Sequence, residues 1–314
     1  MKKLDVIFMG TPEFSVNIVN EINKVHNVRL VVTQPDTYNH KLHKMNYSQV
    51  KEWAISNNIE VFQPENIKID YDKIINTPCD IIVTAAYGQI IPVEVLNYPK
   101  YHSINVHGSI LPKYRGGAPI QRAIMNGDKE TGVTIMYMVK EMDAGDILRI
   151  ERIPILDNDN QGTIFHKLSI LGSEIINDVI SDLVNNKITP IKQESSLVTF
   201  APTIKKEEVR INFNDYAYNV YNHIRGLNPN PVAFFMLDNM SIKVYNSIIS
   251  NYKHNDIPGK IIAINKDGFD VSCKDGTVIT ILELQLPGKL KIACGEFIRG
   301  QGRKLLSIGK ELNK

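Results

Sequence analysis

A chain of 314 residues, 43% hydrophobic and 22% charged, holds enough apolar material for a buried core and too much of it for intrinsic disorder. Its length suggests two domains, and its longest apolar runs are too short to span a bilayer. Net charge is only +2 but unevenly spread: residues 1–200 carry 20 Lys and Arg against 23 Asp and Glu, residues 201–314 carry 16 against 11. A basic C-terminal part points to a polyanionic partner, although a solvated lysine-rich face is the commoner cause of such a bias. Cys79, Cys273 and Cys294 form no CxxC or Cys/His cluster, which argues for free thiols in a reducing compartment and against a structural zinc.

Along the first half, short β-branched runs alternate with helical stretches. Residues 5–9 read as a buried strand rather than a signal segment, because Asp5 interrupts the apolar run and Gly10-Thr11-Pro12-Glu13 ends it. A helix is predicted over 12–24, with Phe14, Ile18, Ile22 and Val25 at helical spacing and Pro12 in the first turn. Residues 28–32 read as a strand, followed by a polar loop and a helix near 47–57. Strands are expected at 80–84 and 103–106, a helix at 118–125, strands at 131–138 and 147–155, and a long helix at 161–185. This alternation implies a doubly wound parallel sheet. Segment 187–206 has no clear periodicity and contains Pro190 and Pro202, so it reads as a linker. One helix is expected near 215–225. Beyond Pro231, short strands separated by Asx-Gly and Pro-Gly turns suggest a small β-barrel, for which an oligonucleotide-binding barrel is one candidate.

Ligands of an open parallel sheet bind beyond the carboxyl ends of its strands. The turn after the first strand lacks GxGxxG, and Pro12 removes an amide that a phosphate would need, which argues against a dinucleotide site. Ala85-Ala86-Tyr87-Gly88-Gln89-Ile90-Ile91-Pro92 suits a flat heteroaromatic ring held by main-chain groups, and equally suits an ordinary strand-to-helix turn. Strand alternation puts Asn105 and His107 on one face at a strand end, an amide donor beside a group that titrates near neutrality. Asp143 in the turn Glu141–Asp146 is placed to complete an Asn/His/Asp set, with Asp146 the alternative. Ser109 has no GxSxG elbow around it, so a serine hydrolase is set aside.

The stretch HGSILPKYRGGAPIQRAI at 107–124 resembles the signature of the folate-dependent formyltransferases. In that family an Asn-x-His strand end, a Ser-Leu-Leu-Pro-like loop and an Asp 36 residues past the His form the catalytic site, and Asp143 stands 36 residues past His107. FMGTPEFS (8–15), TQPD (33–36), QPENI (63–67) and AAYGQIIP (85–92) are similar to the members that act on methionyl-tRNA, as are TFAPTIKKEE (199–208) and IRGLNPNP (224–231) outside the shared catalytic part. The resemblance implies a Rossmann-like formyltransferase domain over 1–186, a linker over 187–206 and an oligonucleotide-binding-type β-barrel over 207–314. It implies a cytoplasmic, monomeric transferase that moves the formyl group of 10-formyltetrahydrofolate to the amino group of methionine on initiator tRNA, with no metal. A formyltransferase acting on a small amine, such as an amino sugar or glycinamide ribotide, is the alternative.

By the same resemblance Asn105, His107 and Asp143 are catalytic. The folate lies against Ala85, Ala86, Tyr87, Gly88, Gln89, Ile90 and Ile91, and against Ser109, Ile110, Leu111 and Pro112. The tRNA meets Lys41 and Lys44 in the acid-free loop 37–51, which also holds Lys51, and Lys206, Arg303 and Lys304 in the basic C-terminal part. Counted from Gln34, Lys41 takes the slot of a family arginine that contacts the acceptor stem. Lysine supplies its charge without the bidentate fork. Asn230 stands where the family commonly has Trp, and Ile110 where it commonly has Leu.

Overall fold

The structure, a computed structural model, describes residues 3–39 and 43–313. Its elements begin with β1 (Asp5–Gly10), α1 (Glu13–Val25), β2 (Asn27–Val32), β3 (Thr37–Asn39), β4 (Lys44–Asn46), α2 (Gln49–Ser56), β5 (Val61–Phe62) and α3 (Asp72–Ile75). Then come β6 (Ile81–Ala85), α4 (Val93–Leu96), β7 (Ser103–His107), α5 (Pro119–Met125), β8 (Glu130–Tyr137), β9 (Ile147–Pro154) and α6 (Gln161–Val184). Contacts divide the chain into two compact units: Met1–Pro119, Glu130–Pro154 and Phe165–Pro202 in the first, Ile120–Lys129, Ile155–Ile164 and Thr203–Lys314 in the second. The segment read from sequence as a linker thus divides, with residues up to Pro202 packing in the first unit.

The first unit is built on a seven-stranded sheet in the order β5-β2-β1-β6-β7-β8-β9. Val6, Ile7, Phe8 and Met9 of β1 are all fully buried, as expected of a central strand covered on both faces. Five strands are parallel, whereas β8 runs antiparallel to β7 and β9 antiparallel to β8. The parallel sheet read from the sequence therefore holds for its first five strands only. The short connection 138–146 leaves no room for a crossover of a dozen or more residues, so β8 and β9 must form a hairpin. The chain builds outward from β1 to β2 and β5, then resumes on the other side at β6 and β7. The order reverses between β1 and β6, and the crevice at such a switch point is where ligands bind. Helix α1 buries Phe14, Ile18, Val19 and Ile22 along one stripe. Helix α6 lies close over β7, because Gly172 leaves room for Val106: a Cβ there would sit 3.0 Å from Val106 Cγ1. The polar loop contains the β3–β4 hairpin, and β5, α3 and α4 were not read from the sequence because each spans only two to four residues.

In the second unit, α7 (Ala217–Gly226) is followed by β10 (Phe234–Leu237), β11 (Met240–Ile249), β12 (Ile261–Ile264), β13 (Phe269–Ser272), β14 (Val278–Gln285) and β15 (Ile292–Ala293). Two short helices, α8 (Cys294–Arg299) and α9 (Gly302–Leu305), come last. The strands form an antiparallel sheet ordered β10-β11-β14-β13-β12, with β15 also on β14. Ala217, Val220 and Ile224 of α7 join Phe235, Val244, Phe269 and Ile281 in one core. The buried Arg225 of the IRGLNPNP stretch donates to the carbonyls of Leu156 and Asp159 at 2.9 and 3.0 Å, which draws segment 155–164 into this unit. Arg122 of α5 holds Glu208 through two bonds of 2.5 and 3.0 Å.

That Arg122 contact, first among the causes, lowers the Glu208 carboxyl from its ordinary 4.5 to about 2. A depressed carboxyl adds stability above its unfolded value and loses it as pH falls through the window between 4.5 and about 2. Thermal melts of wild type and Glu208→Gln should therefore differ most above pH 5 or so. The gap should narrow steadily on acidification. A gap that stays constant down to the acid limit would mean the ion pair contributes nothing beyond packing. Glu208 is one-third exposed, so the effect is expected to be modest.

Candidate active site

The carboxyl ends of β1, β2, β6 and β7 carry the groups singled out from the sequence. Just past β1, Thr11 donates its hydroxyl to the Tyr87 carbonyl at 3.0 Å, and Gln34 past β2 donates to the same oxygen at 3.0 Å. Gln89 donates to the Pro64 carbonyl and accepts from the Ile67 amide at 2.9 Å. The TQPD, QPENI and AAYGQ stretches are therefore one hydrogen-bonded assembly. Within the 85–91 turn, Ala86 and Gly88 are in the left-handed region, with φ of 46° and 93°. Ala85, Tyr87 and Ile91 are buried, while Ala86 and Ile90 are exposed. Burial raises the Tyr87 phenol, whose oxygen has no hydrogen-bond partner.

Asn105 and His107 lie on one face at the end of β7. Asn105 pairs in register with Thr84, whose hydroxyl donates to Asn105 Oδ1 at 2.8 Å. That bond orients the amide and turns its Nδ2 hydrogens away from Thr84. His107 is buried, with Nε2 3.0 Å from the Tyr114 carbonyl. A carbonyl can only accept, so Nε2 carries a proton, and Nδ1 faces Asp143 Oδ2 at 3.7 Å, a pair that attracts only when Nδ1 is protonated as well. The same Asp143 oxygen accepts from the Gly116 amide at 2.8 Å. Asp143 has φ of 51°, and Tyr114 and Gly116 are also left-handed at 64° and 122°. Backbone held in that region at several neighbouring positions is a feature of functional sites. Gly116 has no substitute, because a Cβ would meet the Ala201 carbonyl at 2.8 Å. Asp146 is the hairpin residue, its carbonyl accepting from the Tyr137 amide at 3.0 Å.

Ser109 is fully buried and donates to the Lys113 carbonyl at 2.7 Å, so it shapes the turn instead of serving as a nucleophile. Thr134, the register partner of His107, donates to the Ser109 carbonyl at 2.7 Å and accepts from the Leu111 amide at 3.1 Å. It thereby fixes the 109–112 loop, in which Ile110 is partly exposed, Leu111 is buried and the Leu111–Pro112 peptide is cis. Segment 199–201 joins the same loop. Tyr114 and Arg115 donate their amides to the Thr199 hydroxyl and carbonyl, and Ala201 donates to the Arg115 carbonyl. Gln193 is buried between Arg115 and the Asp143 turn. Thr84, Thr134 and Gln193 were missed in the sequence. Thr84 and Thr134 are marked only by strand register, and Gln193 by nothing local.

The basic residues are more scattered. Lys44 is exposed on β4 beside the exposed Tyr38, Met45 and Tyr47, and Lys41 lies outside the described residues. Lys51, grouped with Lys41 and Lys44 in the acid-free loop 37–51, is mostly buried and ion-paired to Asp36, which lies just before the loop, with Gln63 as a further partner at 2.8 Å. Lys206, Arg303 and Lys304 are exposed in the second unit. A cleft of about 430 Å³ in that unit is lined by Tyr216, Tyr218, Tyr252 and Lys253 and includes none of the residues singled out from the sequence. Burial pushes all three cysteine thiols up to about 12, and all three are free. Among the described residues no group of three or more His, Cys, Asp or Glu is placed to hold a metal ion, and no helix is long and apolar enough to cross a membrane.

This fold and these motifs are shared with known proteins. The profile of the formyl transferase family matches residues 2–180, and that of the formyl transferase C-terminal domain matches residues 203–302. The chain belongs to the formyl transferase family and is a one-carbon transferase enzyme. Within that class it is similar to the methionyl-tRNA formyltransferase of Lysinibacillus sphaericus, at 41% identity over 96% of this chain and 97% of the relative. The protein of that name from Mesoplasma florum is 44% identical over 92% of this chain and 93% of its own. Among solved structures, WlaRD, a sugar 3N-formyl transferase crystallised with dTDP and 5-N-formyl-THF, shares the fold. Its TM-score is 0.68 at 24% identity, covering 92% of this chain and all of that one. HypX from Aquifex aeolicus with tetrahydrofolic acid has a TM-score of 0.66 at 16% identity, over 95% of this chain and 48% of its own.

Proposed function

We propose that this chain is a cytoplasmic, monomeric enzyme that transfers the formyl group of 10-formyltetrahydrofolate to the α-amino group of methionine on initiator tRNA. The observation that carries the reading is likeness to methionyl-tRNA formyltransferases at 41–44% identity across both units, the C-terminal one included. A formyltransferase for a small amine would need the first unit's chemistry but not the tRNA-type C-terminal motifs.

An α-amine titrates near about 7.7–8.0, so much of it is neutral and nucleophilic at cytoplasmic pH. Its nitrogen attacks the formyl carbon, a C–N bond forms, and the carbonyl electron pair moves to oxygen. Asn105 Nδ2 donates to that oxyanion, and the His107 Nε2–H joins it by turning from the Tyr114 carbonyl to the bound formyl oxygen. Collapse of the intermediate breaks the bond to the folate nitrogen, which takes up the proton lost by the amine. Asp143 holds His107, or a water beside it, for that transfer. Ala85–Ile91, with left-handed backbone at Ala86 and Gly88, would hold the folate ring, and Ser109–Pro112 would also line its pocket. Residues up to about 202 carry the chemistry, and the basic unit that follows binds the tRNA, together with the β3–β4 hairpin.

If phosphates are the contacts, tRNA affinity should fall steeply with salt. Lys44→Ala, Lys206→Ala, Arg303→Ala and Lys304→Ala should each weaken binding modestly and flatten the salt slope by about one unit. Binding measured across a salt series checks this. A salt-independent affinity, or a slope unmoved by all four substitutions, would remove tRNA as the acceptor carrier.

A further inference from the structure

The segment 187–206 reads as a linker in the sequence, yet one of its side chains ends in the site. Gln193 is 7% exposed and uses both ends of its amide. Its Nε2 donates to the carbonyls of Asp143 and Gly145, each at 2.8 Å. Its Oε1 accepts from Arg115 Nε at 3.0 Å and Nη2 at 2.7 Å. The peptide after Arg115 supplies the Gly116 amide that donates to the Asp143 carboxylate. Gln193 is therefore tied both to the backbone of Asp143 and to the loop that grips its carboxylate.

We infer that Gln193 is a positioning residue, which sets the Asp143 carboxylate against His107 through the Arg115 loop. The inference rests on the roles proposed above for Asp143 and His107. The His107 Nδ1 to Asp143 Oδ2 separation is 3.7 Å, just outside hydrogen-bond range, so a small displacement of the turn decides whether a proton on Nδ1 meets the carboxylate. Besides Gln193, the turn is held by the Gly116 amide on the Asp143 carboxylate, by the Ala144 amide on the Glu141 carbonyl at 3.4 Å and by the Tyr137 amide on the Asp146 carbonyl, so Gln193 is the group that holds the Asp143 and Gly145 carbonyls. The segment bearing Gln193 is anchored independently of this side chain. Ile191 exchanges two backbone bonds with Ile147, at 2.8 and 2.9 Å, and Thr199 and Ala201 bond to Arg115. Removing the amide thus leaves the segment in place and releases the Asp143 and Gly145 carbonyls, which loosens the Asp143 turn.

The test is a double-mutant cycle in the intact enzyme, with kcat and KM measured for methionyl-tRNA and 10-formyltetrahydrofolate. Gln193→Met should lower kcat about tenfold to a hundredfold, the scale of a small misplacement of a reacting group. Both KM values should stay within about threefold, because ground-state binding is untouched. Gln193→Glu keeps the acceptor for Arg115 but turns a second oxygen on the two carbonyls, so it should show a similar kcat loss. It also carries the decision if the Met variant fails to fold. In an Asp143→Asn background either substitution should cost less than about twofold more, since the carboxylate it positions is gone. Full turnover in the Gln193 variants, or the same multiple of loss in both backgrounds, overturns the inference while leaving the proposed function standing. Full turnover in Asp143→Asn alone overturns the role of Asp143 and the inference with it.

Discussion

Asn105→Ala is expected to lower kcat by about 100- to 1,000-fold, the usual effect of deleting one donor to a developing oxyanion. The expectation rests on orientation. Thr84 supplies the hydrogen bond to Asn105 Oδ1, so the amide presents Nδ2 and not its oxygen at the strand end. KM for either substrate should move little, because the donor matters most when charge has formed on the formyl oxygen. Thr84→Val should produce a smaller loss in the same direction, by releasing the amide without removing it. Steady-state kinetics decide the matter. Turnover within a few-fold of wild type in Asn105→Ala would mean that the oxyanion is held by something else.

His107→Ala should cost about 100- to 10,000-fold in kcat, the range for a positioned acid–base group. Binding of tRNA should persist, since the substitution is buried in the first unit and removes no exposed charge. Part of the loss could come from the loop, because His107 also holds the Tyr114 carbonyl. His107→Gln separates the two causes: glutamine can still donate to that carbonyl but cannot carry a proton through two ring nitrogens. Equal losses in the Ala and Gln variants identify proton transfer as the lost function. Recovery of turnover in the Gln variant would reduce His107 to a loop support.

The parts of this site that were legible in the sequence are those that depend on local pattern. A run such as Val6–Met9 can only be a buried strand, and period-two alternation is enough to bring Asn105 and His107 to one face. Asp143 came from spacing and family resemblance, and the structure sets its carboxylate 3.7 Å from His107. What was illegible depends on pairings far apart in the chain. Thr134 reaches the 109–111 loop because β8 lies antiparallel beside β7, and nothing in residues 131–138 states that direction. Gln193 sits 50 residues beyond Asp143 in a stretch without periodicity, so only the folded backbone reveals its bonds. The charge of Lys51 was visible, but its neutralisation by Asp36, 15 residues earlier, required the turn around Gln63. Local pattern fixes elements, whereas long-range hydrogen bonding fixes which polar groups are free to act.

The central claim is that one formyl group moves from folate to methionine on tRNA, and transfer of a labelled formyl group tests it most directly. The purified protein is given labelled 10-formyltetrahydrofolate with methionyl-tRNA, uncharged tRNA, an amino sugar nucleotide and glycinamide ribotide in parallel. The account predicts label on the methionine α-amino group of methionyl-tRNA alone, at a rate that collapses in His107→Ala. Label on a small amine, or formate released with no acceptor modified, would contradict it.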